Sequence, residues 1–177
     1  MNNTNIFSTH IHLTHKIAKI LLGIVAMVAM SNLVIPIQPV PITFSTIMIM
    51  AIGLTYSRGE AFSTIGSWLA LGAMGAPVFT NGFSGGIPYM IGSTGGYLFG
   101  FLIAAYCMAY MREKFTLPML YNCMLGHILI YIPGVLWLAT FIGMEAAIYK
   151  GFIIYIPTGM LKIGCLVVLM RIIGRKS

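Results

Sequence analysis

One charged group stands out against its surroundings. Lys162 lies in IPTGMLKIG (156–164), inside a long apolar run near the C-terminus. An ionisable side chain there costs several kcal/mol to bury and by default marks a ligand site or a pathway. The plainer reading is a lysine near the outer end of its helix that snorkels to the interface along its own stem. Pro157 and Gly159, about one turn upstream, predict a break that leaves a cavity-facing ammonium, whose natural ligand is an anionic group such as a carboxylate. Thr80, Asn81, Ser84, Ser93 and Thr94 offer neutral donors and acceptors, and Trp68, Phe79 and Tyr97 offer apolar and aromatic wall. A mostly apolar pocket with a few placed polar groups is how small amphipathic molecules are held.

Other chemistries find little support. The sequence has no Asp, and its three acidic residues are Glu60, Glu113 and Glu145, all near segment boundaries. Paired carboxylates, a Gly-x-Ser-x-Gly elbow and the Gly-x-x-x-x-Gly-Lys-Ser/Thr nucleotide loop are all missing, so neither an enzyme nor a self-sufficient ATPase is expected. His10, His12 and His15 read as a solvated tail, and His127 as a hydrogen-bonded helix contact. Cys107, Cys123 and Cys165 lie in apolar runs at unrelated spacings, which argues against a disulfide framework or a zinc site. No metal and no cofactor are expected.

The elements that must position these residues are membrane spans. Charged residues make up 7% of the chain, against about 25% in soluble domains, and hydrophobic residues 59%. Mean hydropathy is +0.94. So much apolar surface exceeds what one core of 177 residues can bury, and most of it must face lipid. A spanning helix needs roughly 20 apolar residues, with about 17 to 25 as the range. The candidates are Ile17–Ile35, Ile42–Tyr56, Ala61–Met74, Gly95–Met111, Leu117–Gly143 and Ile148–Ile173. Pro133 and Gly134 should bend the fifth, and Pro157 should interrupt the last. Residues 1–15 are then a polar cytoplasmic tail and 16–177 a single six-helix membrane domain.

The net charge of +7 does not gather on one nucleic-acid-binding face. With the N-terminus cytoplasmic, one side holds Lys16, Lys19, Arg58, Arg112, Lys114, Arg171, Arg175 and Lys176, and the other only Lys150. That bias predicts six spans in an all-α membrane protein with both termini cytoplasmic. Two uncharged outer loops follow, IPIQPVPIT (35–43) and the stretch around 75–94. From Gly75 to Phe101 the chain carries eight glycines and two prolines. Each interior Gly costs a helix about 1 kcal/mol relative to Ala, and irregular backbone at membrane depth must be satisfied by protein or a cavity. An inward-folded, glycine-rich cap between helices three and four is expected.

Several of these segments, IPIQPVPIT, LGAMGAPVF, SGGIPYMIGSTGGYLFGF, GVLWL and the Pro-to-Lys stretch ending at Lys162, stand in the order seen in the BioY family. These are the biotin-specific membrane subunits of energy-coupling-factor transporters. The chain resembles them from about Ile35 to Lys162, most specifically in the Gly-Gly-x-x-x-x-x-Gly-x-Thr-Gly-Gly-Tyr pattern of Gly85 to Tyr97. The resemblance implies capture of biotin from outside and association with a transmembrane coupling subunit and two ATPases, or a homo-oligomer working alone.

By resemblance, Lys162 matches a lysine at the ligand site. Asn81, Gly85, Gly86, Thr94, Gly95, Gly96 and Tyr97 match the loop that closes over biotin, and Thr43 matches the threonine after the Pro-Val-Pro turn. Trp68 or Tyr97 would lie against apolar parts of the ligand. The sequence departs from the family where an Asp is expected three residues before the lysine, since Gly159 stands there, preceded by Thr158. Ser45 replaces a Gln and Ser93 a Pro. The resemblance then implies weaker biotin binding, a substitute acceptor for the ureido nitrogens such as Thr158 or Asn81, or a changed ligand. The rival readings are a carrier for another small amphipathic solute and, with no acid, base or nucleophile pair to support it, a membrane enzyme.

Overall fold

The structure, a computed structural model, describes residues 3–80 and 86–174, with side chains from residue 13 onward. It is predominantly helical. The order is α1 (Asn3–Asn32), a two-residue strand pair β1 (Val34–Ile35) and β2 (Ile42–Thr43), α2 (Ser45–Thr55), α3 (Arg58–Ala73), α4 (Ile87–Met90), α5 (Gly95–Lys114), α6 (Met119–Ile142), α7 (Met144–Gly151), a 3-10 turn (Ile153–Tyr155) and α8 (Ile156–Ile172). Among the described residues, Leu13–Asn32, Met119–Ile142 and the pair Met144–Ile172 are long and apolar enough to cross a membrane, and Ser45–Thr55 is a shorter apolar helix.

Local chemistry sets most of the helix ends. Ser57 caps α3 in a reciprocal box, accepting from the Glu60 amide while Glu60 accepts from the Ser57 amide. The helical backbone of α1 begins well upstream of Ile17. The last span is interrupted earlier than its proline suggests. The break falls at 152–155, and Pro157 lies in the first turn of α8, where its missing N–H would have no intrahelical partner anyway.

Glycines decide how closely the central pair packs. The pairing of α5 with α6 is the most extensive in the molecule. A Cβ on Gly100 would stand 2.8 Å from the Ile130 carbonyl oxygen and 2.9 Å from its Cα. Gly96 faces Trp137 and the Pro133 carbonyl just as closely, and Gly134 makes room for the Tyr97 ring. Small residues let backbones approach, so dispersion and close packing replace the hydrophobic drive that lipid removes. Asn122 adds a donor from α6 to the Met108 carbonyl of α5 at 3.0 Å.

Polar contacts gather at one end of the bundle. Lys19 pairs with Glu60 at 2.7 Å and lies over the Tyr56 ring. Arg112 donates to the Tyr56 carbonyl at 2.7 Å, and Arg58 pairs with Glu113 at 3.5 Å. These five charged residues come from α1, α3 and α5, and three of the eight basic residues that the charge count assigned to one side, Lys19, Arg58 and Arg112, come together there. The outer faces are apolar instead, with Leu22, Val25, Met160 and Leu161 about two-thirds exposed.

Gly100→Ala should push α5 from α6 and cost about 1–3 kcal/mol, read as a lower thermal midpoint of the purified protein in detergent. Gly66→Ala, where the nearest atom to a new Cβ is Leu102 Cδ1 at 3.9 Å, should leave the midpoint unchanged or raise it.

Candidate functional site

The helical period of α8 brings the key side chains onto one face. Tyr155, Gly159 and Lys162 are spaced four and three apart and all are buried, as are Leu166 and Met170 further down the same stripe. The break before α8 lets this stripe enter the bundle directly beneath the loop 36–41.

That loop is built by prolines. Val34 pairs with Thr43 and Ile35 with Ile42 in antiparallel register, and Phe44 donates to the Leu33 carbonyl at 3.1 Å. Pro36, Pro39 and Pro41 have no N–H to extend the ladder, so the strands stop after two residues. The carbonyls of the returning arm are held from three other elements. Ser93 donates to Pro39 at 3.3 Å, the Tyr155 hydroxyl donates to Val40, and Lys162 donates to Thr43 at 2.7 Å. Lys162 also reaches the Thr46 hydroxyl at 3.0 Å.

Among the described residues no carboxylate pairs with Lys162. Its ammonium carries three donors, of which two are used on neutral oxygens. A buried cation with no anion beside it is normally expensive. One donor and one uncompensated charge therefore remain for whatever occupies the cavity.

Three spaces run in sequence from the loop region to this lysine. The first is an outer vestibule of about 340 Å³ between Pro36, Gln38, Pro39, Thr80, Tyr89 and Ser93. It shares Pro41, Thr80, Tyr89 and Thr94 with an inner cavity of about 40 Å³ walled by Trp68, Phe79, Tyr89, Tyr97 and Phe101. A second inner cavity of about 40 Å³ shares Thr43, Tyr97 and Phe101 with the first and ends at Thr46, Tyr131, Tyr155 and Lys162. Aromatic contacts fix the walls. Trp68 meets Phe79 edge-on at 4.9 Å, Phe79 stacks on Tyr89 at 5.0 Å, and Tyr97 meets Tyr131 edge-on at 6.1 Å.

The residues singled out from sequence are distributed unevenly. Lys162, Thr43, Thr94, Tyr97 and Trp68 all line the inner cavities. Tyr97 is also anchored by its hydroxyl on the Gly151 carbonyl at 2.8 Å, and Trp68 by its indole N–H on Val78 at 3.1 Å. Gly86 lines none of these spaces; with φ at +102°, it starts α4 and donates to the Gly72 carbonyl at 2.6 Å. Gly95 and Gly96 pack against Trp137, whose indole N–H ties the Gly92 carbonyl at 2.9 Å. Thr158 turns back onto the Tyr155 carbonyl at 3.0 Å. Asn81 and Gly85 lie outside the described residues.

Thr46, Tyr131 and Tyr155 were not read from the sequence. A tyrosine in an apolar run was the available signal, because a buried hydroxyl needs a partner. The His127 ring reaches the backbone of Cys123, one turn below on its own helix, and fills the space in front of Gly159.

An all-helical bundle with an apolar exterior and a buried, anion-free ammonium at the end of an aromatic cavity defines an integral membrane protein built to hold a small ligand. The model of the BioY family matches residues 1–176, and the chain belongs to that family. It is 42% identical over 166 residues to the "Probable biotin transporter BioY" of Rickettsia prowazekii, covering 90% of this chain and 85% of that protein. It is 31% identical over 167 residues to the "Biotin transporter BioY2" of Lactococcus lactis, covering 92% and 87%. Among solved structures it is similar to the S-component for biotin from an ECF-type ABC transporter, with a TM-score of 0.79 and 25% identity, covering 100% of this chain and 96% of that one.

Tyr155→Phe should leave the Val40 carbonyl short of a donor and cost about 1–3 kcal/mol. Amide exchange should rise at 37–43 and stay unchanged in α5 and α6, as read by hydrogen–deuterium exchange.

Proposed function

We propose that this chain is the substrate-capture component for biotin uptake, a six-span protein of the bacterial cytoplasmic membrane with both termini inside. The observation that carries the reading is Lys162, a buried ammonium that meets only neutral oxygens at the end of an aromatic-walled cavity. Biotin matches that arrangement at both ends, with a carboxylate for the cation and a compact bicyclic ring for the Trp68, Tyr97 and Phe101 walls. The names carried by the relatives support the same ligand and a transport role.

Capture requires movement. Each inner cavity measures about 40 Å³, room for a few waters and far below the roughly 300–1,000 Å³ of a small-molecule site. The vestibule, at about 340 Å³, reaches that range. Biotin is received there and displaces the 36–43 arm, with the glycine-rich segment up to Tyr97 closing behind it. Asn81 and Gly85 belong to that closing segment, and Thr43 supplies a hydrogen-bonding group beside the ligand. The sequence has no nucleotide loop, so energy for release inward comes from a coupling subunit and two ATPases, with a homo-oligomer as the self-contained alternative.

The purified protein should bind labelled biotin, and Lys162→Ala should weaken binding by about 1–3 kcal/mol, roughly 5- to 150-fold. Unchanged affinity in that variant removes Lys162 from the site, and equal competition by unrelated vitamins reassigns the ligand. Uptake by cells expressing this chain alone separates self-contained transport from dependence on ATPases. In a cysteine-free background, a cysteine at Lys150 should react with an impermeant thiol reagent added outside, and one at Arg58 only after permeabilisation.

A further inference from the structure

We infer that the buried hydroxyl pair Ser31–Ser45 accepts a ring N–H of the bound molecule and so makes the site selective for a ring that donates; the inference rests on the reading of the site as a biotin site. Both serines line the inner cavity walled by Trp68, Phe79, Tyr97 and Phe101, and they are only 1% and 2% exposed. Lys162 lines the neighbouring cavity and not this one. With the carboxylate of the ligand on the ammonium, its ring therefore comes to the serines.

The far end of the pair fixes the direction of its bonds. Ser31 Oγ stands 2.6 Å from the Met27 carbonyl oxygen, one turn back on α1. That oxygen has no proton, so the Ser31 proton is committed to it. The 3.1 Å bond between the two hydroxyls must then be donated by Ser45. A hydroxyl carries one proton and two lone pairs. Both protons are spent, and among the described residues nothing donates to Ser45 Oγ. The cavity thus ends on an acceptor with no proton to give. Ser31 closes α1 and Ser45 opens α2, so neither belongs to the 36–43 arm that the ligand displaces.

The other polar groups of this wall do not impose the same choice. The Trp68 indole N–H is used on Val78 and the Tyr97 hydroxyl on Gly151. Thr43, Thr80 and Thr94 line the space with hydroxyls that can turn either to donate or to accept. A cyclic urea brings two N–H donors to the serines. An isostere with a bare ring oxygen in place of the N–H sets acceptor against acceptor, and a site built to bond an N–H rejects such an analogue strongly.

The test uses the purified full chain in detergent, with biotin and two cyclic carbamate analogues in which oxygen replaces one or the other ring N–H. One of the two analogues should bind the wild-type protein about tenfold or more weakly than biotin does. Ser45→Ala should lower affinity for biotin about five- to tenfold and bring biotin and that analogue to near-equal affinity. Ser31→Ala frees the Ser45 proton to turn toward a ring oxygen, so it should retain most of the affinity for biotin and bind that analogue more tightly than the wild type does. If the pair only ties α1 to α2, Ser45→Ala weakens all three ligands by the same factor, and the inference is overturned. Wild-type protein that binds both analogues as well as biotin overturns it too, and either result leaves the biotin reading intact. A wild-type chain that binds no biotin overturns both. Ser45→Cys, which keeps the size of the side chain and offers only a weak acceptor, takes the place of the Ala variant where that one does not fold.

Discussion

The bond from the Lys162 ammonium to the Thr43 carbonyl is the constraint on which the rest of the site depends. It joins α8 to the short strand that leads into α2, 119 residues away in sequence. Its strength comes from its surroundings: a charged donor in a medium of low polarity makes a far stronger bond than the same pair in water. Removing an ammonium from water is costly, and two neutral oxygens offset only part of that cost. Lys162 is therefore held at this point by neutral oxygens alone, an arrangement that an anionic partner would improve.

Around that bond the arm 36–43 is tethered. Its prolines withhold donors, so it cannot settle into a longer ladder, and the carbonyls of Pro39, Val40 and Thr43 turn instead to Ser93, Tyr155 and Lys162. Each tether starts from a different part of the fold: the glycine-rich segment, the turn before α8, and α8 itself. The edge-on contact of Phe79 with Trp68 and the Trp137 bond to Gly92 fasten the glycine-rich segment to α3 and α6.

The tethered arm is mounted on a closely packed frame. The α5–α6 pair is packed through Gly96, Gly100, Gly126 and Gly134 with no room for a methyl group at any of them. At the opposite end from the loops, Lys19, Glu60, Arg58, Glu113 and Arg112 link α1, α3 and α5 through ion pairs and backbone bonds. Tight packing of this kind transmits displacement rather than absorbing it.

Much of the frame was legible in the sequence because its causes are local. Hydropathy marked the long apolar helices, the proline content marked the irregular 36–41 loop, and a lone lysine in an apolar run marked the buried ammonium at the end of the inner cavity. The segment order also pointed to the BioY family, to which the chain belongs. What the sequence could not reveal is which carbonyl Lys162 bonds, that Tyr155 holds Val40, that Gly95 and Gly96 pack against Trp137 instead of lining the cavity, or that His127 occupies the volume in front of Gly159. Composition and periodicity depend on a residue and its near neighbours, so the chain alone determines where helices run and where they break. Partners separated by thirty to more than a hundred residues depend on how those helices cross, and only the tertiary structure decides which buried polar groups meet and which are left without a partner.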